Sequence, residues 1–217
     1  NVNANVPLLG NRVDRFVWNG STLTFDGNVV MLRANQPAVP AVPGPAQNAA
    51  GNHNGGVIKV SPDDGKLYIF IGDNGRRGWT QNLRCGPATF HDCPPSSPVM
   101  DDVFGGPMPD NAHLTGVVLR LNPDGTAPRM NPFYNYGAEV GGEVGANIQK
   151  IYAYGFRNGY GMAFDPVGHR LWEAANGDDT FSELELVDAG LNSGWIQLMG
   201  PASRASQFKT IETTMGP

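Results

Sequence analysis

Two stretches of the chain are copies of one another. "GVIKVSPDDGKLYIFIGD", from Gly56 to Asp73, and "GMAFDPVGHRLWEAANGD", from Gly161 to Asp178, are both 18 residues long. Each runs through an alternating strand, a Pro/Gly turn and a Leu-aromatic pair (Leu67-Tyr68, Leu171-Trp172), and closes on Gly-Asp. A repeated strand-turn-strand unit narrows the choice of fold more than any composition does. The copies begin 105 residues apart, which is about two units of the roughly 40 to 50 residues a four-stranded propeller blade needs. The expectation is an all-β chain built as a β-propeller. A β-sandwich would also supply strands, but it gives no reason for the repeat.

Further strand signals occur at "RFVWNGSTLTF" and "GVVLRLNPDG", broken by hairpin-type turns, and helical periodicity is almost nowhere. The 29 glycines and 18 prolines among 217 residues suit many short strands. Two segments break the rhythm: "QPAVPAVPGPAQNAAGN", and a long loop at about residues 76–109 that carries an acidic pair, Asp101-Asp102. Both adjoin the first copy and are read as covering one rim of its mouth, or as surface insertions. The whole of 1–217 is read as one propeller domain with that loop inserted.

Fifteen Lys and Arg against 20 Asp and Glu give a net charge of -5 with no basic stripe, so nucleic acid is excluded as a partner. No apolar run reaches the roughly 18 residues of a membrane helix, and the first residues lack the charged and apolar regions of a signal peptide. Cys85 and Cys93 share a Pro-rich loop with only His91 nearby to complete a metal site. A local disulfide is therefore the favoured reading, two unpaired thiols the alternative, and a periplasmic or secreted location follows from the disulfide.

The repeat also points to a site. Three residues before the first glycine of each copy stand His53 and Asn158, and the strand at Gly116 has His113 at the same offset. Strands of a propeller converge on a central channel, so residues at one register face one pocket. Arg157, Asn158 and His53 are its candidates. A neutral histidine can take a proton near pH 7, and a carboxylate on its other ring nitrogen fixes the tautomer. Asp73, closing the first copy, is the natural orienter. The second copy ends in "NGDDTFSELELV", where Asn176, Asp178, Asp179, Glu183 and Glu185 crowd oxygens around a glycine. Calcium takes six to eight such ligands, and a solvated acidic turn is the alternative.

Four motifs in order, "GNHNGGVIKVSPDDGKLYIFIGD", "GVVLRLNPDGTAPRMNPF", "IYAYGFRNGYGMAFDP" and "NGDDTFSELELVDAGLNSGW", resemble the pyrroloquinoline quinone (PQQ)-dependent glucose/sorbosone dehydrogenases over roughly Asn52 to Trp195. The resemblance implies a six-bladed propeller that oxidises a sugar or other alcohol by hydride transfer to PQQ, with calcium. By position, it implies that His53 is the catalytic base and Asp73 its orienter. Arg157 and Asn158 would contact the quinone oxygens, and Gly177, Asp178 and Glu183 would fall at the calcium. Gly159-Tyr160 stand where the family has Pro-Gln, and Ser193 where it has Tyr. Six blades need well over 217 residues, so the expectation is part of a ring, completed by further segments or by a partner chain. The rivals are a catalytically silent propeller that binds carbohydrate or protein, and a calcium-dependent hydrolase on the same fold.

Overall fold

The computed structural model describes residues 10–33, 53–73, 114–177, 180–195 and 198–204. Cys85, Cys93, His91, Asp101, Asp102, His113, Asp178 and Asp179 lie outside these residues. The described part is mostly β-sheet. Strands β1 (Gly10–Trp18) and β2 (Leu23–Arg33) form a two-stranded hairpin. A four-stranded antiparallel sheet follows, in the order β3 (Ile58–Val60), β4 (Leu67–Ile71), β5 (Val117–Leu121), β6 (Ile151–Tyr154). The third sheet, also antiparallel, is β7 (Gly159–Phe164), β8 (Leu171–Ala175), β9 (Glu183–Leu186).

Each repeated sequence is a hairpin at the start of its sheet: β3 pairs with β4, and β7 with β8. Hydrophobic alternation sets the layers. On β4, Tyr68 and Phe70 point to one side and Ile69 and Ile71 to the other, and all four are buried. Tyr68 and Phe70 pack with Met162, Leu171 and Val187 of the third sheet region, while Ile69 and Ile71 pack with Val30 of the first hairpin. Strands β4, β5 and β6 are thus covered on both faces and read as near-continuous apolar runs for that reason, whereas β3 at the edge is exposed. Tyr68 joins the layers through an edge-on contact with Phe164, ring centroids 5.2 Å apart.

Two features depart from the sequence reading. The strand at Gly116 is β5, the third strand of the first repeat's own sheet and not the first strand of another unit, so its matching offset does not mark a further blade. Two short helices, α1 (Tyr134–Val140) and α2 (Gly142–Ile148), also form in a chain whose sequence shows helical periodicity almost nowhere. Their glycines serve contact. A Cβ on Gly137 would fall 2.5 Å from Gly145 O, and one on Gly145 2.1 Å from Gly137 O, so only glycines let the two helices meet this closely. No helix among the described residues is long and apolar enough to cross a membrane.

Candidate functional site

His53 lies shortly before β3 (Ile58–Val60) and Asp73 just after β4 (Leu67–Ile71), so antiparallel pairing returns the two residues to the same end of the sheet. There His53 Nδ1 lies 2.7 Å from Asp73 Oδ1. Their approach depends on Gly72: a Cβ at that position would stand 2.0 Å from His53 O and 2.9 Å from Arg157 O. His53 itself has φ 56°, a left-handed conformation uncommon for residues other than glycine and the kind of local strain that gathers at functional sites.

Asp73 is completely buried, where an uncompensated carboxylate would cost several kcal/mol or more. Both of its oxygens are met. Oδ2 accepts from Trp195 Nε1 at 2.8 Å, and the Asp73 backbone N–H donates to Arg157 O at 2.8 Å. Trp195 is carried there by the segment that follows β9. Tyr154 N bonds to Leu191 O, Ser193 N to Tyr154 O and Trp195 N to Gly155 O, which lays this segment alongside the end of β6. The indole face then supports the Arg157 guanidinium, whose carbon lies 5.4 Å from the ring centroid.

Arg157 and Asn158 stand immediately before β7, at the same end of the molecule. Arg157 Nη1 donates to Asn176 O at 3.2 Å and to Gly177 O at 3.1 Å. Asn158 is buried, and its amide donates to Tyr160 Oη at 3.2 Å. Tyr160 falls in a β-bulge: Gly159 pairs with Ala175 and Gly161 with Ala174, which leaves Tyr160 turned out and 73% exposed. The structure therefore brings His53, Asp73 and Arg157 together through Gly72 and Trp195, with Asn158 beside them in sequence on the β7 entry. A separate cleft of about 350 Å³, lined by Lys59, Phe164 and His169 among others, lies by the hairpin turns and does not include these residues.

Of the oxygen cluster, Gly177 O accepts from Arg157, and Glu183 Oε1 accepts from Gly200 N at 2.7 Å. The loop from Gly177 is so tight that Phe181 O stands 2.0 Å from where a Cβ on Gly177 would be. Next to it, on the face of the third sheet turned toward the four-stranded sheet, Glu173 and Glu185 are directly paired across β8 and β9. Glu173 is 1% exposed, and neither of its oxygens, nor Glu185 Oε2, has a hydrogen-bond partner among the described residues. Burial, and after it the charges of Glu185 and Glu183, push the Glu173 carboxyl up to about 8. Burial likewise pushes Glu185 up to about 7, held back by the Ser193 hydroxyl that donates to Oε1 at 2.5 Å and raised further by Glu183.

The motif reading passed over Trp195 and Glu173. For Glu173 there was a signal, since period-2 alternation in "LWEAA" puts it on the face of Leu171 and Ala175, both buried. Trp195 gave none beyond being a large aromatic after a glycine, because its partner Asp73 lies 122 residues away.

The family model described as Glucose / Sorbosone dehydrogenase matches residues 101–211. The chain is 29% identical over 188 residues to the quinoprotein glucose dehydrogenase B of Acinetobacter calcoaceticus, a match that takes in 87% of this chain and 32% of that protein. It resembles the PQQ-bound form of aldose sugar dehydrogenase from Streptomyces coelicolor with a TM-score of 0.55 and 25% identity, covering 89% of this chain and 42% of that one. The likeness to the apo-form of the soluble aldose sugar dehydrogenase from Escherichia coli is of the same order, with a TM-score of 0.56 and 25% identity over 88% of this chain and 41% of the other. The chain spans about a third of the length of the curated relatives it matches, 32% of one and 30% of another.

Proposed function

The chain belongs to the glucose/sorbosone dehydrogenase family, and from that premise we propose that it carries part of the active site of an oxidoreductase acting on a sugar or another alcohol. The two repeat-bearing sheets are, on this reading, neighbouring blades of a six-bladed propeller, and the site lies at the end where their hairpins open. The observation that carries the reading is the His53–Asp73 pair, 2.7 Å apart, next to the Arg157 backbone.

The chemistry of the residues suits the family's cofactors. Arg157 offers a cation, with Asn158 next to it, at the end of the sheet where the planar, oxygen-rich PQQ would lie. The Gly177 carbonyl and the Glu183 carboxylate, with Asp178, are oxygens of the kind that hold calcium; Gly177 O accepts from Arg157 and Glu183 Oε1 from Gly200 N, and Glu173 and Glu185 beside them carry oxygens with no hydrogen-bond partner among the described residues. When bound, PQQ supplies a two-electron acceptor for the substrate's hydride, with calcium polarising it. The chain's own part is proton transfer and orientation. With Nδ1 turned to Asp73, His53 presents Nε2 to the mouth, where it accepts the proton of the substrate hydroxyl. Asp73 holds the ring in that tautomer. Arg157 and Asn158 meet the cofactor's oxygens. The reading extends to a periplasmic or secreted location with Cys85 and Cys93 bridged.

The test is direct. In the full-length protein incubated with PQQ and calcium, the ultraviolet-visible spectrum should change on adding an aldose. His53→Ala should abolish that change and leave the melting temperature within a few degrees of the parent. Arg157→Ala should instead weaken PQQ binding, by the loss of a charge-assisted contact of about 1.5 to 3 kcal/mol. Full activity in His53→Ala would end the proposal and leave a binding propeller in its place.

A further inference from the structure

Asp73 could present either carboxylate edge to His53, and something must decide how it is held. We infer that Trp195 is the positioning residue of the site: its indole N–H orients Asp73, and its ring face separately supports Arg157. The inference rests on the dehydrogenase reading for its catalytic meaning, and on the geometry alone for its structural content.

An indole N–H can donate and cannot accept. Bonded at 2.8 Å to Asp73 Oδ2, it makes that oxygen an acceptor and leaves Oδ1 to face His53 Nδ1 at 2.7 Å. An oxygen facing Nδ1 selects the ring tautomer with the hydrogen on Nδ1, which frees the Nε2 lone pair for a substrate proton. Trp195 is 2% exposed, and its own backbone N–H is tied to Gly155 O at 2.9 Å, so the indole has little freedom to turn away. The same ring lies under the Arg157 guanidinium at 5.4 Å, and Arg157 O receives the Asp73 N–H. One side chain thus touches both halves of the site, by its N–H on one side and its ring face on the other. The two contacts can be removed separately. Phe in place of Trp keeps an aromatic face for Arg157 and deletes the donor, while Leu deletes both.

The decisive measurement is the tautomer of His53, read by ¹⁵N NMR of the full-length, cofactor-free protein labelled at histidine and assigned with His53→Gln. The parent should hold the Nδ1–H form. In Asp73→Asn the indole should claim the amide oxygen and turn the amide NH₂ toward His53, inverting the ring to the Nε2–H form. In the double variant Asp73→Asn/Trp195→Phe the amide is free to flip, and the Nδ1–H form should return to at least half of the population. With PQQ and calcium added, Trp195→Phe should lower kcat by at least about tenfold with little change in KM and hold PQQ within about twofold of the parent. Trp195→Leu should weaken PQQ by about fivefold or more, in line with the loss of a cation–π contact. If the Phe variants do not fold, the inversion in Asp73→Asn decides alone, because without an orienting donor the amide would turn its oxygen to His53 and no inversion would occur. An unchanged tautomer in Asp73→Asn, or equal loss of PQQ in the Phe and Leu variants, overturns the inference. A parent protein that oxidises no sugar while the tautomers behave as stated overturns the dehydrogenase reading and leaves Trp195 as the orienter of Asp73.

Discussion

Two groups of buried carboxylates lie near the same end of the molecule and are finished in opposite ways. Asp73, between the two repeat hairpins, has a donor on each oxygen, His53 on one and Trp195 on the other. Glu173, one strand into the third sheet, is as deeply buried and has no partner on either oxygen among the described residues. The contrast separates two uses of a buried acid. A fully bonded carboxylate is locked in one orientation and can hold a neighbour's tautomer. A bare one is costly as an anion, so it keeps its proton or waits for a cation.

The largest effect should come from breaking the finished side. Asp73→Ala takes this acceptor from the buried indole N–H and the part-buried imidazole Nδ1, and should cost about 3 kcal/mol or more in urea denaturation. A cost below about 1 kcal/mol would mean that the pair is not a structural unit.

The next effect is on the bare side and has the opposite sign. Glu173 and Glu185 sit at about 8 and about 7 in the folded protein, against an ordinary 4.5. The native state therefore keeps protons that the unfolded chain releases. Their favourable contribution is complete below about pH 4.5, shrinks as pH rises, and is gone above about pH 8. In calcium-free buffer, Glu173→Gln should stabilise the protein by on the order of 2 kcal/mol at pH 8 and by almost nothing at pH 4, flattening the pH dependence of the denaturation midpoint. Equal effects at both pH values would show that the carboxyl is not ionising in this window.

The smallest effect sharpens the comparison within the Glu173–Glu185 pair. Ser193→Ala removes the hydroxyl that donates to Glu185 Oε1 and should cost about 1 kcal/mol at pH 8. It should also steepen the decline in stability on the alkaline side, since the Ser193 bond lowers the Glu185 carboxyl against the effect of burial.

Much of this architecture was legible in the chain, and the reasons are local. Alternation and the Pro/Gly turns marked β3–β4 and β7–β8 as hairpins, and a hairpin of known ends returns His53 to Asp73 without knowledge of the rest of the fold. The Arg157–Asn158 pair before β7 was visible because it occupies the matching place in the second copy. The helices at 134–148 were not legible, because the glycines that let them touch carry the same local signal as turns.

What the sequence determined by itself was therefore the repeat, its hairpins, and the residues placed at their open ends. Only the tertiary structure decided which groups meet there. The stacking of one sheet on the next buried Glu173, and the docking of the 191–195 segment along β6 carried an indole to a carboxylate 122 residues away. Periodicity records which face a side chain takes within its own strand. The partner on the facing layer is set by long-range packing, which leaves no mark in local spacing.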